Sequence, residues 1–178
     1  MLKAGKDPRE VLKEISDIFP FHASVSAEVV GDTVEEMLEM ADDYIELGPN
    51  ITIKVPLTPE GLKVCKDLSS DDVAVNVTLC FSTAQAILAA KAGATYVSPF
   101  VGRVYDQQFD GIQLIEEISD VYATHKQKTQ ILAASIRDVH QVASCFRVGA
   151  DICTIPSKIF SGMYKHCLLY TSDAADDP

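Results

Sequence analysis

The stretch Ile51-Thr52-Ile53-Lys54-Val55-Pro56-Leu57-Thr58-Pro59-Glu60 carries a strand and the start of a helix. Its first half is a short apolar run that ends in a proline. Its second half places Thr58 before Pro59 and Glu60, which is the pattern of a helix N-terminus. Lys54 is the one charged residue of the apolar run. Most lysines in such runs extend to water, whereas a desolvated lysine at the end of a buried strand suits Schiff-base chemistry on a ketone. The stretch alone leaves both possibilities open.

The same strand-then-helix pattern recurs along the chain. Apolar runs predict strands at 25–30, 51–55, 73–79, 95–98, 130–136 and 151–155. Apolar residues at helical spacing predict helices at 33–47, 58–68, 82–92, 111–125, 138–148 and 157–166, and a further helix opens the chain with Asp7 as N-cap and Pro8 in its first turn. Repeated units of this kind imply a parallel sheet with right-handed crossovers, and the continuous apolar strands fit a sheet that is covered on both faces.

Two architectures fit this pattern, an open doubly wound sheet and a (β/α)8 TIM barrel. No glycine-rich nucleotide-binding motif follows any predicted strand, which disfavours a nucleotide-type open sheet. In a barrel, polar residues at the carboxyl ends of the strands point into the active site. The unusual polar residues of this chain fall at those positions: Glu28, Lys54, Asn76, Thr78, Ser98, Arg103, Ser135 and Arg137. The barrel, with Lys54 as a functional residue, is therefore the better prediction.

Composition limits the possible partners. The chain has 178 residues, enough for one domain, and its net charge of −11 argues against nucleic acid as a partner. No apolar stretch is long enough to cross a membrane, and the N-terminus has no signal-peptide pattern. The five cysteines are scattered without metal-ligand spacing, which predicts reduced, inert thiols and a cytoplasmic protein. They are Cys65, Cys80, Cys145, Cys153 and Cys167.

The C-terminal residues 167–178 continue no periodicity. They resemble the in-frame translation of a sequencing adapter, although an ordinary acidic tail is the alternative. We therefore predict one partial barrel domain at 1–166 and a non-native tail at 167–178.

Five segments of the chain carry a resemblance to a known family: residues 26–29, 53–62, 76–79, 89–103 and 133–137. From Asp7 to His166 the chain resembles the transaldolase-like family, which includes fructose-6-phosphate aldolase. The resemblance implies a (β/α)8 barrel of the class I aldolase type. It also implies that two βα units, the first of which bears a catalytic aspartate, precede the matched region. We therefore expect a fragment that lacks these two units, and six units cannot close an eight-stranded barrel.

The resemblance assigns catalytic roles to three residues. Lys54 matches the lysine whose amine attacks the C2 ketone of a sugar phosphate, after which the iminium accepts electrons as the C3–C4 bond breaks. Glu28 matches the carboxylate that, with Thr78, positions the water for carbinolamine formation and hydrolysis. No metal or other cofactor is implied, and the four histidines, His22, His125, His140 and His166, show no metal-ligand spacing.

The resemblance also implies a set of substrate-binding residues. Asn76 would hydrogen-bond the hydroxyls of the donor sugar, and Ser98 and Ser135 supply further hydroxyls. Arg103 and Arg137 suit the phosphate, because guanidinium groups bind phosphate through paired hydrogen bonds. We expect the two arginines to converge at one end of the barrel.

Two positions separate the activities of the family. Glu28 and Phe100 match the transaldolase pattern, whereas the aldolase pattern has glutamine and tyrosine. A tyrosine hydroxyl could protonate the dihydroxyacetone enamine and release it, and phenylalanine cannot. The resemblance therefore implies a transaldolase of the pentose phosphate pathway. It would convert sedoheptulose 7-phosphate and glyceraldehyde 3-phosphate to erythrose 4-phosphate and fructose 6-phosphate. A fructose-6-phosphate aldolase-type lyase, or an inactive fragment of either enzyme, is the alternative.

The predicted partners are sugar phosphate substrates, with no nucleic acid and no membrane. Small members of the family pack a C-terminal segment on a neighbouring subunit, so the full-length form is expected to be a homo-oligomer. We expect the truncated chain itself to be impaired.

Overall fold

The computed structural model describes residues 7–19 and 23–166. Six parallel strands form one sheet: β1 (Val25–Glu28), β2 (Ile51–Pro56), β3 (Val75–Cys80), β4 (Tyr96–Pro99), β5 (Gln130–Ala133) and β6 (Ile152–Cys153). Each strand pairs with the next strand along the chain, in the order β1-β2-β3-β4-β5-β6. A doubly wound sheet would reverse this order at a switch point. The sequential order confirms a curled, truncated TIM barrel, in which β1 and β6 each pair on one side only within the described residues.

Helices alternate with the strands: α1 (Pro8–Ile18), α2 (Val34–Ile45), α3 (Pro59–Ser70), α4 (Thr83–Lys91), α5 (Val101–Asp106), α6 (Gly111–Thr124), α7 (Val139–Arg147) and α8 (Ser157–Gly162). The expected N-cap at Asp7 is confirmed, since its carboxylate accepts from the Arg9 backbone N–H at 3.0 Å. Thr58 likewise accepts from the Gly61 N–H at 3.0 Å. These caps start helices where the sequence places them.

Several predicted boundaries were too long, and one helix was missed. Strands β1, β5 and β6 and helix α8 end before the predicted 30, 136, 155 and 166. After β5 the chain turns at Ser135, whose φ of 61° is incompatible with a strand. Helix α5 was not predicted, because it is short and begins after Phe100 without a side-chain cap. The proposed tail, 167–178, and His22 lie outside the described residues.

The two faces of the sheet carry different kinds of residue, apolar on one face and polar on the other. Ile53, Val55, Val75 and Val77 are fully buried in the apolar core beneath the helices. Because side chains alternate along a strand, the residues between them share the opposite face. Lys54 and Asn76 lie there, side by side in the β2–β3 register. The inner face of the sheet is therefore polar, and it leads towards the carboxyl ends of the strands.

Two further observations concern the described residues as a whole. None of their helices is both long and apolar enough to cross a membrane. No group of three or more His, Cys, Asp or Glu side chains is close enough together there to hold a metal ion.

The absence of a side chain at Gly61 allows the start of α3 to pack closely against the end of β2. A Cβ at this position would overlap the Pro56 carbonyl oxygen, which is backbone and cannot turn aside. We expect Gly61→Ala to lower the free energy of unfolding by about 1–3 kcal/mol, the usual range for overpacking. Urea denaturation of the two proteins measures this difference. Gly162→Ala is the matched control, since its Cβ would lie 3.3 Å from a Val139 methyl group. A similar loss in both variants would contradict the role given to Gly61.

Candidate active site

The candidate site begins where β1, β2 and β3 present one residue each in a row. Glu28 is paired with Lys54 in the β1–β2 register, and Lys54 with Asn76 in the β2–β3 register. Glu28 ends β1 and Lys54 lies two residues before the end of β2, near the carboxyl ends where barrel enzymes place their chemistry, whereas Asn76 is the second residue of β3. The fold therefore brings together three of the predicted residues by strand register alone.

The apolar neighbours of Lys54 in sequence suggested an isolated charge, but the side chain has a charged partner. Its Nζ lies 2.9 Å from Glu28 Oε2, and the two side chains are 25% and 45% exposed. This contact corrects the picture of a lone desolvated amine, because the polar face of β2 reaches the mouth of the curled sheet. The pair therefore places the Lys54 nitrogen beside a carboxylate that can exchange protons with bound groups during a reaction.

Thr78 and Asn76 lie two residues apart on β3 and so face the same way. Asn76 is buried, and its Oδ1 accepts a hydrogen bond of 2.7 Å from the Ser98 hydroxyl of β4. Thr78 is completely buried, and its hydroxyl has no hydrogen-bond partner within the described part of the chain. Buried hydroxyls are normally paired. Thr78 Oγ1 therefore keeps its hydrogen-bonding capacity unused, on the same face of β3 as the Asn76 side chain that Ser98 orients.

Phe100 directly follows β4, at the carboxyl end of that strand. Its ring packs edge-on against Phe81, with 5.8 Å between the ring centroids and 68° between the planes. A backbone bridge to Ala134 fixes its main chain beside the end of β5. The side chain at this position is thus held by an aromatic neighbour and carries no hydroxyl group.

Ser135 and Arg137 follow β5, and they approach α5 closely. A Cβ on Gly102 would overlap the Ser135 carbonyl oxygen and would lie 2.6 Å from Arg137 Nε. The absence of a side chain at Gly102 is what lets these segments meet. The Arg137 guanidinium then reaches Asp106 at the end of α5, with its Nη2 2.6 Å from Asp106 Oδ2.

Arg103 lies on the next face of the same helix. It lines a groove of about 420 Å³ together with Phe81, Val104, Gln107 and Phe109. Arg137 does not line this groove. The two arginines therefore lie on different sides of α5 in this structure. Their convergence on one phosphate stays a prediction.

Sequence reasoning missed the groove residues Phe81, Gln107 and Phe109, together with Asp106. The missing signal was helix α5, because only a helix places Asp106 on the same face as Gly102, four residues earlier.

The spacing of the cysteines also concealed a contact. A hydrogen bond between Cys145 of α7 and Cys153 of β6 raises the pKa of Cys145, as does burial, and it lowers the pKa of Cys153 against the opposing effect of burial. Burial raises the pKa of Cys65 and of Cys80 to about 12 each, which keeps both thiols protonated at neutral pH. Thiols in that state are poor nucleophiles. Cys167 lies outside the described residues.

Comparison with known proteins identifies the family. A family model described as Transaldolase/Fructose-6-phosphate aldolase matches residues 8–177. A probable transaldolase of Paracoccus denitrificans (strain Pd 1222) is 51% identical over 168 residues, which cover 94% of this chain and 76% of the relative. Probable transaldolases of Cereibacter sphaeroides (strain ATCC 17025) and Caulobacter vibrioides (strain NA1000) are 49% and 46% identical, and this chain again covers 76% of each. The chain therefore belongs to the transaldolase/fructose-6-phosphate aldolase family.

Proposed function

We propose that the chain is a transaldolase that carries a dihydroxyacetone unit on Lys54. The observation that supports this most directly is the pairing of Lys54 with Glu28 at the carboxyl ends of β1 and β2, at 2.9 Å. An amine beside a carboxylate, at the mouth of a curled parallel sheet, has what a Schiff base requires: a nucleophile and a proton acceptor. The names of the relatives agree with this activity.

The proposed reaction starts from a ketose phosphate such as sedoheptulose 7-phosphate. Lys54 attacks the C2 ketone as its neutral amine, and a proton passes from the nitrogen to the former ketone oxygen to form a carbinolamine. Loss of water gives the iminium, and Thr78 with Glu28 holds that water. The C3–C4 bond then breaks, its electron pair moves to the iminium to form an enamine, and the C4 hydroxyl gives up its proton to a base. The aldose product, erythrose 4-phosphate, leaves.

Transfer is completed on the same lysine. The enamine carbon attacks the aldehyde of glyceraldehyde 3-phosphate, and water hydrolyses the new iminium to release fructose 6-phosphate and the Lys54 amine. The Asn76 amide and the Ser98 hydroxyl orient the donor hydroxyls, since their mutual hydrogen bond of 2.7 Å fixes both groups. The Ser135 hydroxyl supplies a further contact. We propose that this reaction serves the pentose phosphate pathway in the cytoplasm, and that the full-length form is a homo-oligomer.

Phe100 favours transfer over release of dihydroxyacetone. Its ring offers no proton to the enamine and packs against Phe81. An aldolase-type lyase would instead release dihydroxyacetone from fructose 6-phosphate when no acceptor aldehyde is present. We expect little free dihydroxyacetone in that assay and its prompt transfer once an acceptor is added. Equal rates with and without an acceptor would favour the lyase.

Reduction with borohydride in the presence of fructose 6-phosphate tests the Schiff base itself. We expect one stable adduct, which peptide mass spectrometry places on Lys54. The measurement needs only imine formation, so it does not depend on a high turnover rate. An adduct on Lys63 or Lys91, or no adduct at all, would show that the central assignment is wrong.

Arg103→Ala tests the phosphate role of the groove arginine. Loss of a charge-assisted contact should weaken the binding of fructose 6-phosphate by roughly 1.5–3 kcal/mol and leave dihydroxyacetone binding unchanged. Titration calorimetry with both compounds measures the difference. Arg147→Ala, which removes the same charge from the exposed end of α7, is the control. Equal losses for both compounds would exclude the phosphate role.

A further inference from the structure

The ion pair between Arg137 and Asp106 has no role in the chemistry proposed so far. Arg137 Nη2 donates to Asp106 Oδ2 at 2.6 Å, and the two side chains are 51% and 49% exposed. Ion pairs exposed to this extent contribute little to folding, because water screens the charges. The main effect of the contact is therefore on the position of the Arg137 guanidinium.

Three contacts together restrict this side chain. A Cβ on Gly102 would lie only 2.6 Å from Arg137 Nε. The Arg137 side chain therefore packs across α5 at the position where Gly102 has no side chain. The Arg137 backbone N–H donates to Gln141 Oε1 at 2.8 Å, which fixes the main chain just before α7. Asp106 holds the far end. Since Asp106 lies four residues after Gly102 on α5, one helix face supports both the stem and the guanidinium.

The restricted guanidinium still has unused hydrogen-bonding capacity. A guanidinium group carries five N–H donors, and Asp106 contacts only Nη2. Among the described residues, neither Nη1 nor Nε of Arg137 has a hydrogen-bond partner, and Asp106 is the one carboxylate paired with the group. A guanidinium group that is held through one nitrogen, with its other N–H donors free, is suited to bind an oxyanion without reorientation.

We propose that Asp106 is a positioning residue that holds the Arg137 guanidinium ready for the phosphate of a sugar phosphate substrate. The inference rests on the proposed function and on the phosphate role that the family resemblance implies for Arg137. A free arginine side chain must lose its rotational freedom when a ligand binds, and a side chain that is already held loses less. That saving corresponds to an affinity gain of about two- to tenfold.

Titration calorimetry on the 178-residue chain tests this role, with fructose 6-phosphate, inorganic phosphate and dihydroxyacetone as probes. We expect Asp106→Ala to weaken the binding of both phosphate compounds about two- to tenfold and to leave dihydroxyacetone unaffected. Asp106→Asn should recover most of the loss, because its amide oxygen still accepts from Arg137. Asp43→Ala is the matched control, since it also removes an exposed ion pair, with Arg9 at 3.1 Å, away from the site.

A double-mutant comparison separates positioning from a general effect on the fold. In an Arg137→Ala background, Asp106→Ala should cause no further loss of phosphate binding, because the group that it positions is gone. Unchanged or tighter phosphate binding by Asp106→Ala would overturn the inference, as would an additive loss in the Arg137→Ala background. Absence of phosphate binding by the unaltered chain would overturn it as well. Trapping of dihydroxyacetone on Lys54 needs no phosphate, so its outcome decides the proposed function separately.

Discussion

A Lys54→Met variant is expected to form no adduct with dihydroxyacetone under borohydride and to lose turnover of sugar phosphates. The loss should reach at least about 10⁴-fold, the scale on which removal of a covalent nucleophile acts in other enzymes. Methionine keeps an unbranched chain that fills similar space, but it carries no amine. Glu28 is 45% exposed and can be solvated once its partner is gone, so the fold should survive. Peptide mass spectrometry and a coupled turnover assay measure the two effects.

Lys63→Met provides the matched control for this experiment. Lys63 lies on α3, the helix that follows the strand of Lys54, and it is exposed. The substitution changes the same charge and the same atoms without touching the proposed nucleophile. We expect normal trapping and normal turnover in this variant. Trapping that persists in Lys54→Met would show that another amine carries the substrate.

The second large effect is expected from extending the chain at its N-terminus. We propose that the 178 residues alone turn over slowly, since the resemblance places the base for the C4 hydroxyl on a strand that precedes the matched region. This chain covers 76% of the Paracoccus denitrificans relative. Joining the preceding segment of that relative to residue 1 should raise kcat by about 10²–10⁴-fold, the usual contribution of a general base.

The chemical and structural parts of this gain can be separated. The same extension, with the aspartate of its first strand replaced by alanine, should restore the fold but not the rate. Stopped-flow or coupled assays with sedoheptulose 7-phosphate and glyceraldehyde 3-phosphate compare the three proteins. If the unextended chain, shown to be monodisperse, already turns over at about 1–10³ s⁻¹, the account of an impaired fragment is wrong.

The parallel sheet, and the strands on which the candidate residues lie, could be predicted because both depend on local sequence signals. Each strand is a short apolar run, and β1, β2, β3 and β5 are each followed by a helix with a side-chain cap, such as the one that Thr58 starts. Parallel strands in sequential order place their carboxyl ends at one edge of the sheet, so polar residues at the ends of neighbouring strands were expected near one another, as Glu28 and Lys54 are. The family assignment was reached from the same segments, and the comparisons confirm it.

The contacts that were not predicted depend on tertiary structure. Whether Glu28 touches Lys54 is decided by the β1–β2 register, which no local signal encodes. Helix α5 has six residues and no side-chain cap, so neither periodicity nor a start signal reveals it. Without α5 the pairing of Asp106 with Arg137, 31 residues apart, could not be foreseen.

The unpartnered hydroxyl of Thr78 has a consequence for the evolution of this protein. A buried hydroxyl without a hydrogen bond costs about 1–3 kcal/mol of folding stability, and valine would remove that cost with little change of shape. Selection for folding stability alone would therefore replace Thr78 by valine. We propose that Thr78 is kept in this strand for its role in catalysis, as a trade of robustness for activity of the kind expected where natural selection acts on catalysis.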